Sequence, residues 1–114
     1  TCRHGQMLYN VHDMYIGRSL DLYGEFSEGE IDVFRQLVQP GNVVLEIGAN
    51  IGAHTVFLAQ HVGPTGRVLA FEPQRVVCQT LNANIAQVYL AKHRITALIK
   101  REAGKLRNRM ETDG

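Results

Sequence analysis

Two glycines four residues apart, Gly48 and Gly52, follow closely behind an acidic side chain, Glu46. They lie between the apolar run VVLEI, which is typical of a buried strand, and a segment with helical periodicity. Gly48 permits a positive φ or the close approach of a ligand, and Gly52 lets the next helix start tightly against the strand. We expect Asn50 to cap that helix, whose first amides and positive dipole end would face the ligand. The stretch therefore predicts a cofactor-binding loop, with a simple tight turn as the alternative.

The dinucleotide-binding fingerprint G-x-G-x-x-G/A fits this loop only in part. Aligned on Gly48, the chain has Ala53 at the last position but Asn50 where the middle glycine belongs. That middle glycine lets the backbone approach a pyrophosphate. Glu46 would repel phosphates and would suit an ammonium or sulfonium group. The loop therefore favours a cofactor without a pyrophosphate.

A second acid, Glu72, lies twenty positions after Gly52, at the end of the next apolar run RVLAF. A carboxylate at the end of a second parallel strand can accept hydrogen bonds from both ribose hydroxyls of a nucleoside. Pro73 stops the strand and fixes where the carboxylate points. The alternative is an acid simply exposed at a strand end.

The segments that position these residues alternate as helix, strand, helix, strand, helix. The first helix follows Ser27 and Glu30, which have capping-box spacing, and ends at Pro40 and Gly41. Such alternation predicts an α/β fold with a parallel sheet covered by helices on both faces. We expect about three strands, since the stretch RITALI is compatible either with a third strand or with continuation of the last helix.

The chain of 114 residues is long enough for one small domain. We divide it into an N-terminal extended segment (1–26), a βαβ core (27–90) and a basic tail (91–114). Residues 92–114 carry seven basic and three acidic side chains, although the formal net charge of the whole chain is only +1. The two cysteines do not have a metal-binding spacing, and the sequence shows no signal-peptide pattern. We therefore expect a cytoplasmic protein without a metal.

The sequence resembles the S-adenosylmethionine-dependent methyltransferases with a Rossmann-like sheet. Glu46, Gly48 and Gly52 match their first motif, acid-x-Gly-x-x-x-Gly, and Glu72 matches the acid after their second strand. More narrowly, YGEFSEGE (23–30), GANIGAHT (48–55) and FEP (71–73) resemble blocks of the FkbM family of methyltransferases. The resemblance covers about residues 5–86. It implies an incomplete methyltransferase fold and methyl transfer to an oxygen of a sugar or secondary metabolite.

The resemblance also implies a set of residues that bind S-adenosylmethionine. The first motif holds the methionine end and Glu72 the ribose. Tyr23 and Glu28 could close over the cofactor, or simply belong to a loop that enters a helix. The full set of expected cofactor-binding residues is Tyr23, Glu28, Glu46, Gly48, Ala49, Asn50, Gly52, His54, Thr55, Glu72 and Pro73.

The chain departs from the family in three ways. Such domains have about seven strands, the segment after residue 90 is basic where an acidic adenine-contacting loop is usual, and the acceptor-side region is absent. We assign no catalytic base, because His54 lies in the first turn of a helix whose dipole disfavours its charged form. Its expected role is lining the methionine pocket or packing.

Three hypotheses therefore remain open. The chain is the amino-terminal portion of an FkbM-like methyltransferase, a nucleic-acid methyltransferase or RNA-binding fragment that uses the basic tail, or a non-catalytic remnant. A lone sheet of about three strands leaves apolar faces and an edge uncovered, so we expect marginal stability or a homo-oligomer.

Overall fold

A computed structural model describes the backbone of residues 1–112 and the side chains of residues 1–88, 104, 105 and 107–112. The expected alternation of helices and strands is present in this part of the chain. In chain order the elements are α1 (Ile16–Tyr23), α2 (Glu28–Leu37), β1 (Val43–Ile47), α3 (Ala53–His61), β2 (Arg67–Phe71) and α4 (Arg75–Thr112).

Helix α1 corrects the expectation of an extended segment over residues 1–26. The carboxylate of Asp13 accepts the backbone N–H of Tyr15 at 3.0 Å and that of Gly17 at 3.0 Å, which starts the helix. These two backbone hydrogen bonds lower the pKa of Asp13. The helix ends at a left-handed Gly24, whose N–H donates to the carbonyl of Leu20. Asp13, whose side chain starts this helix, precedes its first residue. The apolar periodicity of the helix therefore gives no sign of it.

Helix α2 confirms the predicted helix, but the expected capping box is wrong. Ser27 adopts a left-handed conformation (φ 55°) and makes no side-chain hydrogen bond at the helix start. Its carbonyl instead accepts the backbone N–H groups of Glu30 and Ile31. In that conformation the backbone turn itself satisfies these amides.

The sheet pairs β1 and β2 in parallel, with Val43 opposite Arg67 and Ile47 opposite Phe71. Among the described residues it has two strands, where we expected about three. The stretch RITALI, which was compatible with either state, lies within α4. The chain therefore does not return to the sheet between Arg75 and Thr112.

Helix α3 packs on β2 and contacts both α2 and α4, so these three helices form one layer joined through α3. The core between this layer and the sheet is built from Ile31, Phe57 and Leu58, with Phe34, Val38, Val44 and Val68 packed against them. The opposite face of the sheet is exposed, and its apolar side chains are Val43, Leu45, Ile47, Leu69 and Phe71. The prediction of helices on both faces is thus wrong for the described residues.

Helix α4 contains most of the predicted basic tail, and residues 113–114 lie outside the described residues. Lys105, Arg107 and Arg109 are exposed near its end. Within the described residues, no helix combines the length and the apolar character needed to cross a membrane.

Candidate functional site

The glycine loop, residues 48–52, lies over the carboxyl ends of both strands. The backbone N–H groups of Gly48 and Ala49 both donate to the carbonyl of Phe71, at 2.9 and 3.0 Å. Phe71 is the last residue of β2, so the loop that leaves β1 is attached to the end of the neighbouring strand. Ligands of open parallel sheets bind at this edge.

The two glycines of the loop have different structural roles. Gly52 has a φ of 93°, and a Cβ added there would lie 2.8 Å from Cδ1 of Leu81 on α4. Gly48 has a φ of 75°, and an added Cβ would meet no atom within 4 Å. Gly52 therefore lets α4 pack closely, whereas Gly48 borders open space.

Asn50 does not cap helix α3, contrary to the prediction. The N-cap residue is Gly52, which makes no side-chain cap. Asn50 itself has a φ of 52°, and its Oδ1 accepts the backbone N–H of Ile51 at 2.8 Å. Asparagine is among the few residues other than glycine that adopt this conformation readily. The backbone of Asn50 thus takes the left-handed conformation that glycine most readily adopts, while its side chain stabilises the loop.

Glu72 joins the end of β2 to this loop. Its Oε2 accepts the backbone N–H of Asn50 at 2.9 Å, and its Oε1 accepts that of Gln74 at 3.0 Å. A carboxylate has about four lone-pair positions, so two hydrogen bonds from the backbone leave acceptor capacity for a ligand. The following residue, Pro73, is exposed. The carboxylate is thus oriented by the protein and still able to bind hydroxyl groups.

Glu46 lies on β1, one strand away from Glu72. Its Oε2 accepts the hydroxyl of the buried Thr55 at 2.6 Å. Burial raises the pKa of Glu46, and the Thr55 hydrogen bond and the nearby His54 oppose this rise. The site therefore contains a second, partly buried acid close to the first turn of α3.

His54 lies among aromatic rings. Its ring centroid is 5.9 Å from that of Phe26 and 5.4 Å from that of Phe34. Its Nε2 lies 3.6 Å from Oε2 of Glu30 and makes no hydrogen bond with the described residues. His54 thus packs against aromatic rings, and the alternative role of lining the methionine pocket stays a prediction.

Glu28 and Tyr23 are less closely tied to the loop. Oε1 of Glu28 lies 2.7 Å from Nε2 of His4, and its Oε2 lies 3.6 Å from Nε of Arg3. Glu28 therefore anchors the amino-terminal segment to α2. Tyr23, the last residue of α1, is 74% exposed. Closure of these two residues over a cofactor stays a prediction.

Sequence reasoning missed Asn84, which is fully buried on α4. Its side chain hydrogen-bonds Leu8 and the carbonyl of Ile51 in the glycine loop. The signal was available in the sequence, because Asn84 lies between the apolar positions Leu81 and Val88 of the same helix. A buried polar side chain needs hydrogen-bond partners, and here those partners include the candidate site.

A family model for protein-L-isoaspartate(D-aspartate) O-methyltransferase (PCMT) matches residues 29–103, which is more than half of the chain. The chain belongs to this family. Membership implies S-adenosylmethionine as the methyl donor. The match covers α2 apart from Glu28, both strands, the glycine loop and Glu72.

Two curated proteins are similar to parts of this PCMT-family chain. The ribosomal RNA large subunit methyltransferase E of Bdellovibrio bacteriovorus is 31% identical over 88 residues, which are 74% of this chain and 45% of that protein. The AMB antimetabolite synthetase AmbE of Pseudomonas aeruginosa is 39% identical over 51 residues, 45% of this chain and 2% of that protein. The chain thus spans less than half the length of these relatives. No solved structure matches it.

The residues at the loop fit S-adenosylmethionine on three observations. Open space borders Gly48, so a bulky group can approach the backbone there. Glu72 keeps acceptor capacity for ribose hydroxyls, and Glu46 supplies negative charge suited to the positively charged methionine end. Gly48, Glu72 and Glu46 are therefore the candidate cofactor-binding residues.

Proposed function

We propose that this chain is the amino-terminal, cofactor-binding portion of an S-adenosylmethionine-dependent O-methyltransferase that acts in the cytoplasm. The observation that carries the proposal is the hydrogen bond from the Asn50 N–H to Glu72, which orients the acid at the end of β2 beside the open loop. A ribose needs two acceptors at a fixed position, and an oriented carboxylate provides them.

Glu72 and Glu46 bind different parts of the cofactor. Glu72 accepts the ribose hydroxyls, and Glu46 balances the positive charge of the methionine end. Gly48 lets this end lie against the backbone, because no side chain occupies the space beside it. Ala49 and Gly52 of the loop and Thr55 of α3 support the site from within, since all three are buried.

Bound S-adenosylmethionine supplies an electrophilic methyl group on its sulfonium sulfur. The contribution of this chain is to position that group and to exclude water from one side of it, which are the main sources of rate in a direct displacement. An oxygen acceptor must also lose a proton to a base within hydrogen-bond distance. We assign no residue of this chain as that base.

For the acceptor, we propose a hydroxyl group of a sugar or another small metabolite. The support is the resemblance of residues 23–30, 48–55 and 71–73 to the FkbM methyltransferases. These blocks include the glycine loop and Glu72, whose geometry carries the cofactor proposal.

Calorimetric titration with S-adenosylhomocysteine tests the cofactor proposal. We expect the wild-type protein to bind and Glu72→Gln to bind at least about tenfold more weakly, since a hydrogen bond to a charged group contributes about 1.5–3 kcal/mol. Asp32→Asn is the matched control, because Asp32 is an exposed acid on α2 paired with Arg35. Absence of wild-type binding, or equal affinity of Glu72→Gln and the wild type, would contradict the proposal.

A nucleic-acid acceptor is the second candidate. It is favoured by the similarity to a ribosomal RNA methyltransferase and by exposed Lys105, Arg107 and Arg109 near the end of α4. If these three side chains contact phosphates of single-stranded RNA, log Kd against log salt has a slope of about 2 in magnitude. Changing all three to Gln should abolish that slope, whereas Arg67→Gln at the start of β2 should leave it unchanged. A flat salt dependence of the wild type would exclude this candidate.

A further inference from the structure

Asn84 is a buried polar side chain of α4 whose hydrogen bonds reach two distant segments of the fold. It is 0% exposed. Its Oδ1 accepts the backbone N–H of Leu8 at 2.7 Å, and its Nδ2 donates to the carbonyls of Leu8 at 3.0 Å and Ile51 at 2.7 Å. Three hydrogen bonds from one buried amide connect α4 to two distant segments of the chain.

The partner of Asn84 in the glycine loop is Ile51, which lies in an irregular stretch of backbone. Ile51 lies between two residues with positive φ, Asn50 at 52° and Gly52 at 93°. The N–H of Ile51 is held by the Asn50 side chain, and its carbonyl is held by Asn84. Asn84 therefore supplies one of the contacts that fix this irregular stretch of backbone.

The other partner is the amino-terminal segment around Leu8. Asn84 bonds both the N–H and the carbonyl of this residue, as a neighbouring strand would. Leu8 itself is half exposed, so a backbone contact rather than a buried side chain attaches the segment at this residue. The segment and the glycine loop therefore share one side chain as a common partner.

We infer that Asn84 is a positioning residue for the cofactor loop, and that it couples the loop to the amino-terminal segment. The inference rests on the proposed function, because it concerns the affinity of the same loop for the cofactor. When Asn84 holds the Ile51 carbonyl, the amides of Asn50 and Ile51 keep the orientation that lets Glu72 face the ribose. Loss of the Nδ2 donor frees the peptide after Ile51 and lowers the fraction of loops that are ready to bind.

Asn84→Asp is the most informative variant. Aspartate has the same shape and can still accept the N–H of Leu8, but an ionised carboxylate cannot donate to the two carbonyls. We expect its affinity for S-adenosylhomocysteine, corrected for the folded fraction, to fall about 5- to 150-fold, the usual range for coupling between sites. Val88→Ala is the control, since Val88 is buried one turn further along α4 and its loss creates a cavity. It should lower the melting temperature and leave the affinity per folded molecule unchanged.

If Asn84→Asp does not fold, a second measurement on the wild-type protein tests the coupling between the loop and the amino-terminal segment. We expect saturating S-adenosylhomocysteine to slow hydrogen exchange at the Leu8 amide as well as in the loop, because coupling is reciprocal. Slowed exchange in the loop with unchanged exchange at Leu8 would overturn the inference. Equal affinity of folded Asn84→Asp and wild type would also overturn it. Failure of the wild type to bind would instead overturn the proposed function, so the two failures are distinguishable.

Discussion

The hydroxyl of Thr55 donates a 2.6 Å hydrogen bond to Oε2 of Glu46 and joins β1 to the first turn of α3. Thr55 is buried, and burial raises the pKa of Glu46. An acid in such surroundings reduces the stability of the folded protein when it is ionised. In the proposed function, the cofactor's positive charge compensates for this cost.

Glu46→Gln should therefore make the protein more stable and the cofactor bind less tightly. Because the folded-state pKa of Glu46 is above its ordinary value of 4.5, the folded state holds the proton more tightly than the unfolded state. The tighter proton binding stabilises the folded protein below pH 4.5, and this stabilisation is lost as the pH rises through the folded-state pKa.

At neutral pH, Glu46→Gln should have a higher urea midpoint than the wild type, and the difference should vanish below about pH 4. Its affinity for S-adenosylmethionine, which carries the positive charge, should fall at least about tenfold, as expected for the loss of a charged partner. Glu111→Gln, an exposed acid at the end of α4, should change neither quantity. A lower urea midpoint at neutral pH would contradict the argument.

Gly48→Ala tests the open space at the loop. We expect a loss of stability of about 1–2 kcal/mol, because an L-residue with positive φ is strained. Gly63→Ala should cost a similar amount, since Gly63 also has a positive φ (67°) and an added Cβ would also meet no atom within 4 Å. Only Gly48→Ala should weaken binding of S-adenosylhomocysteine in calorimetry. Equal binding by both variants would show that the space beside Gly48 is not part of the site.

Gly52→Ala should destabilise the protein more strongly, by about 2–4 kcal/mol. The change adds the strain of a positive φ to a close contact with Leu81 Cδ1. Adding Leu81→Ala should remove the contact term, so the double variant should be more stable than the sum of the single effects predicts. Urea unfolding of the four proteins measures this coupling, and strictly additive losses would refute the packing role.

The exposed face of the sheet predicts self-association. Leu45 and Ile47 on β1 are 62% and 74% exposed, and they lie beside the exposed Leu69 and Phe71 of β2. Contiguous apolar patches of this kind are rare on monomeric proteins. Sedimentation velocity should show mass that increases with concentration, and Leu45→Lys with Leu69→Lys should shift the protein towards monomer. Val33→Lys with Leu37→Lys, which change exposed positions on α2, should not. A wild type that is monomeric at all concentrations would contradict this expectation.

The elements closest to the candidate site were predictable from the sequence because their signals are local. The apolar runs at 43–47 and 67–71 and the glycines between them predict two strands and a loop, and the structure has them. Asn50 in place of a glycine was also visible, but its left-handed conformation depends on its hydrogen bonds to Ile51 and Glu72. Only the hydrogen bond to Glu72 joins distant parts of the chain.

The remaining differences come from contacts between residues that are distant in the sequence or outside the element concerned. Helix α1 depends on Asp13, which precedes it, and Asn84 depends on partners 76 and 33 positions away. Periodicity reports which side of a helix is buried, and it carries no information on which backbone groups a buried amide will meet. The length of α4 was likewise open, because RITALI suits a strand as well as a helix.

Helix α4 has 38 residues and is about 57 Å long, whereas each strand of five residues spans only about 17 Å. Its C-terminal half therefore extends far past the sheet, and the α4 contacts described for the glycine loop involve Leu81 and Asn84, in the first half. The chain should then contain two cooperative units, a core that unfolds as one and a helical extension that frays at lower temperature. Ligand binding would protect the first unit and leave the melting of the second unchanged.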